Sequence, residues 1–144
     1  MQIDKFSDYA LRIMMVLAVR TPDRVSVREI ADVFTISENH VAKIGTALAR
    51  AGYVHSQRGR AGGLSLASPA AQISIGDVLR QLKAPPPVAE CFGEANSCLI
   101  MPACGLRGPL KEAQEAFFAA LDGYTLADIT LQNKALARLM PSPP

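Results

Sequence analysis

No apolar run in this sequence approaches the roughly 20 residues that a membrane-spanning helix requires. The opening residues place Asp4 and Asp8 inside an amphipathic pattern and lack a signal-peptide layout, so a cytoplasmic protein without a membrane partner is expected. Catalytic signatures are missing as well: there is no Ser/His/Asp elbow and no HExxH. Neither of the two histidines, His40 and His55, stands near a cysteine in the sequence. An enzyme is therefore not expected. Acidic residues are absent between Glu38 and Asp77, where Lys43, Arg50, Arg58 and Arg60 fall. A basic stripe on a chain of net charge only +2 points to a polyanionic partner. Cysteine is scarce and confined: Cys91, Cys98 and Cys104 are the only three, all within fourteen residues.

What is present is apolar enough to fold. Nearly half of the 144 residues are hydrophobic, which supports a real core in one domain or in a domain with an appended arm. Phe6, Tyr9, Ala10, Ile13, Met14, Leu17 and Ala18 recur at helical spacing and predict a first helix ending before Thr21-Pro22-Asp23. Ser26-Val27-Arg28-Glu29 reads as a capping box opening a short helix through about Phe34. After the Thr35-Ile36 turn, Ser37 caps a third helix, Glu38 to Arg50, closed by Gly52. Two short helices joined by so brief a turn form a helix-turn-helix.

Tyr53-Val54-His55 and Leu64-Ser65-Leu66 read as strands on either side of Arg58-Gly59-Arg60-Ala61-Gly62-Gly63, a basic hairpin. A helix-turn-helix followed by such a hairpin is a winged helix. Its third helix offers Ser37, Asn39, His40 and Lys43 at the end that enters a major groove, and its wing offers Arg58 and Arg60 to phosphate or minor groove. Ser74 opens a further helix with Ile75, Val78, Leu79 and Leu82 on its apolar side, and Pro85-Pro86-Pro87 ends it. A long helix from about Leu106 to Asp122 carries the stripe Leu110, Ala113, Ala116, Phe117, Ala120 and Leu121, and Thr125-Leu126-Ala127-Asp128 caps a last helix. The two long helices together offer more apolar surface than so small a domain can cover, which predicts a homodimer. The fold class is mainly α with a small β-hairpin wing. A winged helix-turn-helix occupies 1–83, a cysteine-rich loop 84–105, dimerisation helices 106–140 and a flexible tail 141–144. A two-fold dimer implies a pseudo-palindromic operator in double-stranded DNA.

An odd number of cysteines in a reducing compartment favours metal binding over disulfides. Thiolates select zinc, copper(I) or iron–sulfur iron. The spacings do not match the CxxC pairs of zinc ribbons or bacterial ferredoxins. A long-spaced loop can instead wrap an object larger than one ion, screened by Phe92, Leu99, Ile100 and Met101. Three thiolates leave a fourth ligand position, for which Glu90, Glu94, Asn96 and Asp8 are the oxygen-donor candidates. A zinc-stabilised winged-helix interaction module is one alternative, and a redox or iron–sulfur-status regulator is the other.

Phe6-Ser7-Asp8-Tyr9-Ala10-Leu11-Arg12, Ile36-Ser37-Glu38-Asn39-His40-Val41-Ala42-Lys43, Ala51-Gly52-Tyr53-Val54, the Arg-Gly…Gly-Gly wing, Ile75-Gly76-Asp77-Val78, Pro102-Ala103-Cys104 and Leu121 to Asp128 together resemble the NsrR type of iron–sulfur winged-helix regulator. The resemblance implies a homodimeric repressor that senses nitric oxide through an iron–sulfur cluster, [4Fe-4S] in preference to [2Fe-2S], and derepresses nitrosative-stress genes. It also implies that Cys91, Cys98 and Cys104 ligate the cluster and that Asp8 reaches it from the partner subunit. Two positions depart from related patterns: Glu38 stands where the family often has arginine, and Gly105-Leu106-Arg107 lacks the histidine that follows the third cysteine in redox or iron–sulfur-status regulators of the IscR type.

Overall fold

The computed structural model describes residues 3–82, 87–93 and 97–140. Pro85, Pro86, Glu94, Asn96 and the 141–144 tail lie outside the described residues. The Asp4 side chain accepts from the N–H groups of Phe6 and Ser7 at 3.0 and 3.2 Å and starts α1 (Lys5–Arg20). Ala10, Ile13, Met14 and Leu17 are buried on that helix, which packs against the third helix, the second wing strand and two later helices. Its burial on several sides explains why its apolar pattern is broader than a single stripe. No described helix is long and apolar enough to cross a membrane.

The capping box at Ser26 is present in full. Ser26 N–H donates to Glu29 Oε2 at 2.8 Å while the Glu29 N–H donates to Ser26 Oγ at 3.2 Å, opening α2 (Val27–Phe34). Hydrogen bonding to Ser26 holds the Glu29 carboxyl below its ordinary range, with Arg20 adding to the effect. Thr35, at φ 53°, turns the chain, and Ser37 caps α3 (Glu38–Arg50). Val41, Ile44 and Leu48 on one side of α3 meet Ile30 and the core face of α1 in a shared core.

The wing consists of β1 (Val54–Gln57) and β2 (Gly63–Leu66), antiparallel, with Val54 opposite Leu66 and Gln57 opposite Gly63. β1 starts one residue after the expected Tyr53 and runs two residues past His55, while β2 begins one residue earlier than expected, at Gly63. β2 also bonds to the segment before α2: Val25 N–H donates to Leu64 O at 2.9 Å and Leu64 N–H to Val25 O at 2.8 Å. The close approach made by this pair of hydrogen bonds needs a glycine at position 63. Gly63 has φ 152°, and a Cβ there would lie 2.5 Å from the Val25 carbonyl oxygen. Gly63→Ala is therefore expected to lower stability by about 1–3 kcal/mol through steric overlap and an unfavourable φ. A urea midpoint equal to that of the parent would contradict this.

Beyond the wing, α4 (Ile75–Leu82) packs on α5 (Arg107–Asp122). The Asp122 carboxylate occupies the space where a side chain at Gly76 would begin, and it pairs with Arg80. That hydrogen bond raises the Arg80 pKa above its ordinary value, and the guanidinium stacks 5.1 Å from the Phe118 ring centroid. Phe118 is the buried residue of α5, although the expected stripe does not contain it. Leu110, Phe117 and Leu121 are half-buried, while Ala113, Ala116 and Ala120 face solvent. The position of α4 selects the Phe118 side, which sequence periodicity alone does not fix.

The C-terminal region forms two short helices where one was expected: α6 (Leu126–Thr130) and α7 (Lys134–Leu139). Thr125 and Asp128 make a second capping box, and Asn133 caps α7 by accepting from the Leu136 N–H at 3.1 Å. Leu126 N–H donates to Ile73 O at 2.8 Å, and Ile75 N–H to Tyr124 O at 3.0 Å. These bonds draw α6 back onto α1, where Leu126 is fully buried. The α6 segment is thus built into the same core as the helix-turn-helix.

Candidate functional site

The exposed side of α3 is a narrow polar stripe. Glu38, Asn39, Ala42, Lys43, Thr46 and Arg50 face solvent, while Val41, Ile44, Gly45 and Leu48 are buried. The stripe follows from i, i+4 spacing on a helix whose opposite side is fixed in the core. Glu38, Ala42 and Thr46 line one wall of a cleft of about 450 Å³, and Arg28, Gln57, Arg58 and Gly63 contribute the other walls. The wing and the first turn of α2 therefore converge on α3. Arg60 is exposed in the hairpin turn itself. Asn39 and Lys43 instead share a groove of about 600 Å³ with the start of α1, at Asp4, Lys5 and Phe6.

Two of the expected DNA-binding residues have structural work in this arrangement. The Ser37 side chain accepts from the His40 N–H at 3.2 Å and caps α3. His40 is half-buried, with its ring edge-on to Tyr9 at a centroid distance of 5.6 Å. Tyr9 also meets Phe34 edge-on at 6.4 Å, so the ring ties α1 to both helices of the helix-turn-helix. Arg28, Ala42, Thr46 and Gln57 on the cleft were not singled out from the sequence. The i, i+4, i+8 spacing of Glu38, Ala42 and Thr46 carried the signal for two of them.

Asp8 sits on the exposed side of α1, one turn before Arg12. Its carboxylate takes two contacts from the Arg12 guanidinium, Nε to Oδ1 and Nη2 to Oδ2, each 2.9 Å. The hydrogen bond that Arg12 donates to Asp8 raises the Arg12 pKa above its ordinary value. Arg12 also lies 5.5 Å from the Tyr9 ring centroid. Asp8 thus connects through two side-chain contacts to the ring that packs on His40.

The cysteine loop joins the end of α4 to the start of α5. Cys91 is the middle residue of a 3-10 turn, Glu90–Phe92, and Cys104 follows a second, Met101–Ala103. Glu90 Oε1 accepts from the Ser97 N–H at 3.1 Å and from Ser97 Oγ at 2.8 Å. These bonds bring together the residues just before Cys91 and Cys98, and they hold the Glu90 carboxyl below its ordinary range. Met101 N–H donates to Cys98 O at 3.2 Å and Cys104 N–H to Met101 O at 3.3 Å, linking the second and third cysteines by successive turns. Arg107, at the start of α5, lies 5.6 Å from the Phe92 ring centroid.

All three cysteines are half-buried thiols. Their donor chemistry suits an iron–sulfur group, and the loop's own hydrogen bonds connect the three segments that carry them. Among the described residues, no three His, Cys, Asp or Glu side chains are gathered at metal-binding distance within the single chain. Glu90 is committed to Ser97, and Glu94 and Asn96 lie outside the described residues. Leu99 and Ile100, expected to screen the loop, are 93% and 65% exposed. Phe92 and Met101 are half-buried.

Comparison with known proteins agrees with the geometry. A family model described as Rrf2, iron-dependent transcriptional regulator, matches residues 3–132. The chain is similar to the structure of CymR, the global cysteine regulator of B. subtilis, at 29% identity and TM-score 0.72, over 93% of this chain and 99% of that one. It is also similar to IscR of T. potens, at 25% identity and TM-score 0.70, over 90% of this chain and 85% of that one. The oxidised form of Staphylococcus aureus CymR matches at 26% identity and TM-score 0.70, over 90% and 95% of the two chains.

Proposed function

Because this chain belongs to the Rrf2 family of DNA-binding transcriptional regulators, and is a regulator rather than an enzyme, we propose that it is a homodimeric cytoplasmic repressor of the NsrR type. Its DNA affinity follows the state of an iron–sulfur cluster that responds to nitric oxide. The single observation that carries this reading is the loop between α4 and α5, which holds every cysteine of the chain in segments stitched together by Glu90–Ser97 and Cys98–Met101–Cys104. Cys91, Cys98 and Cys104 would hold the cluster, [4Fe-4S] in preference to [2Fe-2S]. When bound, the cluster supplies iron that a small neutral molecule such as nitric oxide can attack. Arg58, Arg60, Lys43 and Asn39 would meet the operator, with phosphate contacts setting affinity and base contacts setting sequence. The exposed alanines of α5, Ala113, Ala116 and Ala120, offer a close-packing surface to a second copy.

Asp8 is the proposed fourth ligand, donated by one protomer to the loop of its partner. A carboxylate is a harder ligand for this iron than a thiolate, and Arg12 is placed to hold it when it is released. Asp8→Ala is expected to retain iron and sulfide but to show an altered visible spectrum and altered nitric oxide reactivity. A spectrum, reactivity and operator affinity all equal to those of the parent would remove Asp8 from the site.

The function is tested by purifying the protein without oxygen, assaying iron and acid-labile sulfide, and titrating its operator complex with nitric oxide. A straw-brown protein that leaves the operator as nitric oxide is added supports the reading. A colourless zinc protein, or an operator complex indifferent to nitric oxide, contradicts it.

A further inference from the structure

Glu38 is an acid placed where a DNA-binding surface should not tolerate one. It is exposed at the first turn of α3, in line with Ala42 and Thr46, and it lines the cleft shared with Arg28 and Arg58. Among the described residues the Glu38 carboxylate has no hydrogen-bond or ion-pair partner, so neither arginine neutralises it. Its place at the helix N-terminus is favourable for an anion, yet facing a phosphate it would lower affinity by charge repulsion. A carboxylate on this stripe is compatible with binding only where the duplex presents a hydrogen-bond donor.

The major-groove edges narrow the choice to one base. Guanine offers two acceptors, N7 and O6, and thymine offers O4 with a methyl group, so both repel or exclude a carboxylate. Adenine has the N6 amino donor but sets the N7 acceptor beside it. Cytosine presents the N4 amino group without an adjacent acceptor, and a carboxylate accepts from it. We infer that Glu38 is a specificity-determining residue that selects a cytosine in each operator half-site, at the base pair met by the first turn of α3. Arg28 and Arg58 flank the cleft and are placed to hold the neighbouring phosphates, which keeps Glu38 over the base edge. Ala42, one turn on, leaves room for this approach. The inference rests on the proposed placement of α3 in the major groove.

The test is selection from a random pool of duplex DNA by the parent protein, Glu38→Ala and Glu38→Gln, each full-length and purified without oxygen. The parent should enrich a pseudo-palindrome with a cytosine at one position per half-site, favoured roughly tenfold over other bases. Glu38→Ala should lose the preference at that position alone and keep every other. Glu38→Gln should move it toward adenine, whose N6 and N7 match an amide. Because Glu38 is exposed, both variants should stay folded, with unfolding midpoints that match each other and lie only slightly below the parent's through loss of the acid at the helix N-terminus. Identical consensus sequences from the three proteins would overturn the role of Glu38 while leaving the DNA-binding reading intact. No enrichment by the parent would overturn the placement of α3 itself, and the inference with it.

Discussion

Cys98→Ser is expected to purify without oxygen as a colourless or weakly coloured protein that binds the operator at least about tenfold more weakly than the parent. The serine hydroxyl is a harder donor with a much higher pKa than the thiol, so it replaces a thiolate poorly toward soft iron. Cys98 is the middle ligand of the proposed set, and its carbonyl accepts the turn that leads to Met101 and Cys104. Loss at this position therefore affects both neighbours. The fold should survive, because the loop's cysteines lie outside the buried core of α1, α3 and the wing. Far-ultraviolet circular dichroism should match the parent, with iron and sulfide content greatly reduced. Coupling between a bound group and a distant site runs on the order of 5- to 150-fold, which sets the expected loss. A brown Cys98→Ser protein with full operator affinity would remove the loop from the switch.

The second large effect concerns charge. Lys43→Ala combined with Arg60→Ala should weaken operator binding roughly thirtyfold at physiological salt. Each phosphate contact on duplex DNA adds about 0.9 to the slope of log K against log salt, worth roughly fivefold per contact near 0.15 M. The double variant should thus lower that slope by about 2. Lys43 and Arg60 stand on different elements, α3 and the wing, and both are exposed. Their effects should add, since they share no contact. Fluorescence anisotropy across a salt series measures both quantities. An unchanged slope would mean that neither residue meets a phosphate.

Much of this architecture was legible in the residues because its signals are local. Ser26 with Glu29 and Thr125 with Asp128 form the boxes that their spacing specifies, and Ser37 caps α3. The wing follows from two short strands around a Gly-rich basic turn, although the reason for Gly63 is a partner strand at Val25 that lies 38 residues earlier. What escaped the sequence depends on tertiary neighbours. Phe118 is buried because α4 arrives on its side of α5, with Arg80 stacked over it. His40 is turned toward Tyr9, an α1 residue far from it in sequence. The bond from Ser97 to Glu90 joins two parts of the cysteine loop outside any α-helix or strand, so no periodicity announces it. The break between α6 and α7 did have a local sign, Asn133, which prefers a cap to a helix interior.

The proposed function turns on a link between the cysteine loop and the surface of α3 and the wing. Two sets of contacts are placed to serve that link. Arg80 and Asp122 join α4 to α5, the helices on either side of the cysteine loop. Asp8 connects through Arg12 and Tyr9 to His40 on α3. The most direct measurement is the operator dissociation constant of one anaerobic preparation, taken before and after iron is stripped with a chelator, at fixed salt. The account predicts that the stripped protein binds at least about tenfold more weakly and regains its affinity when the cluster is rebuilt. Equal dissociation constants before and after stripping would contradict it.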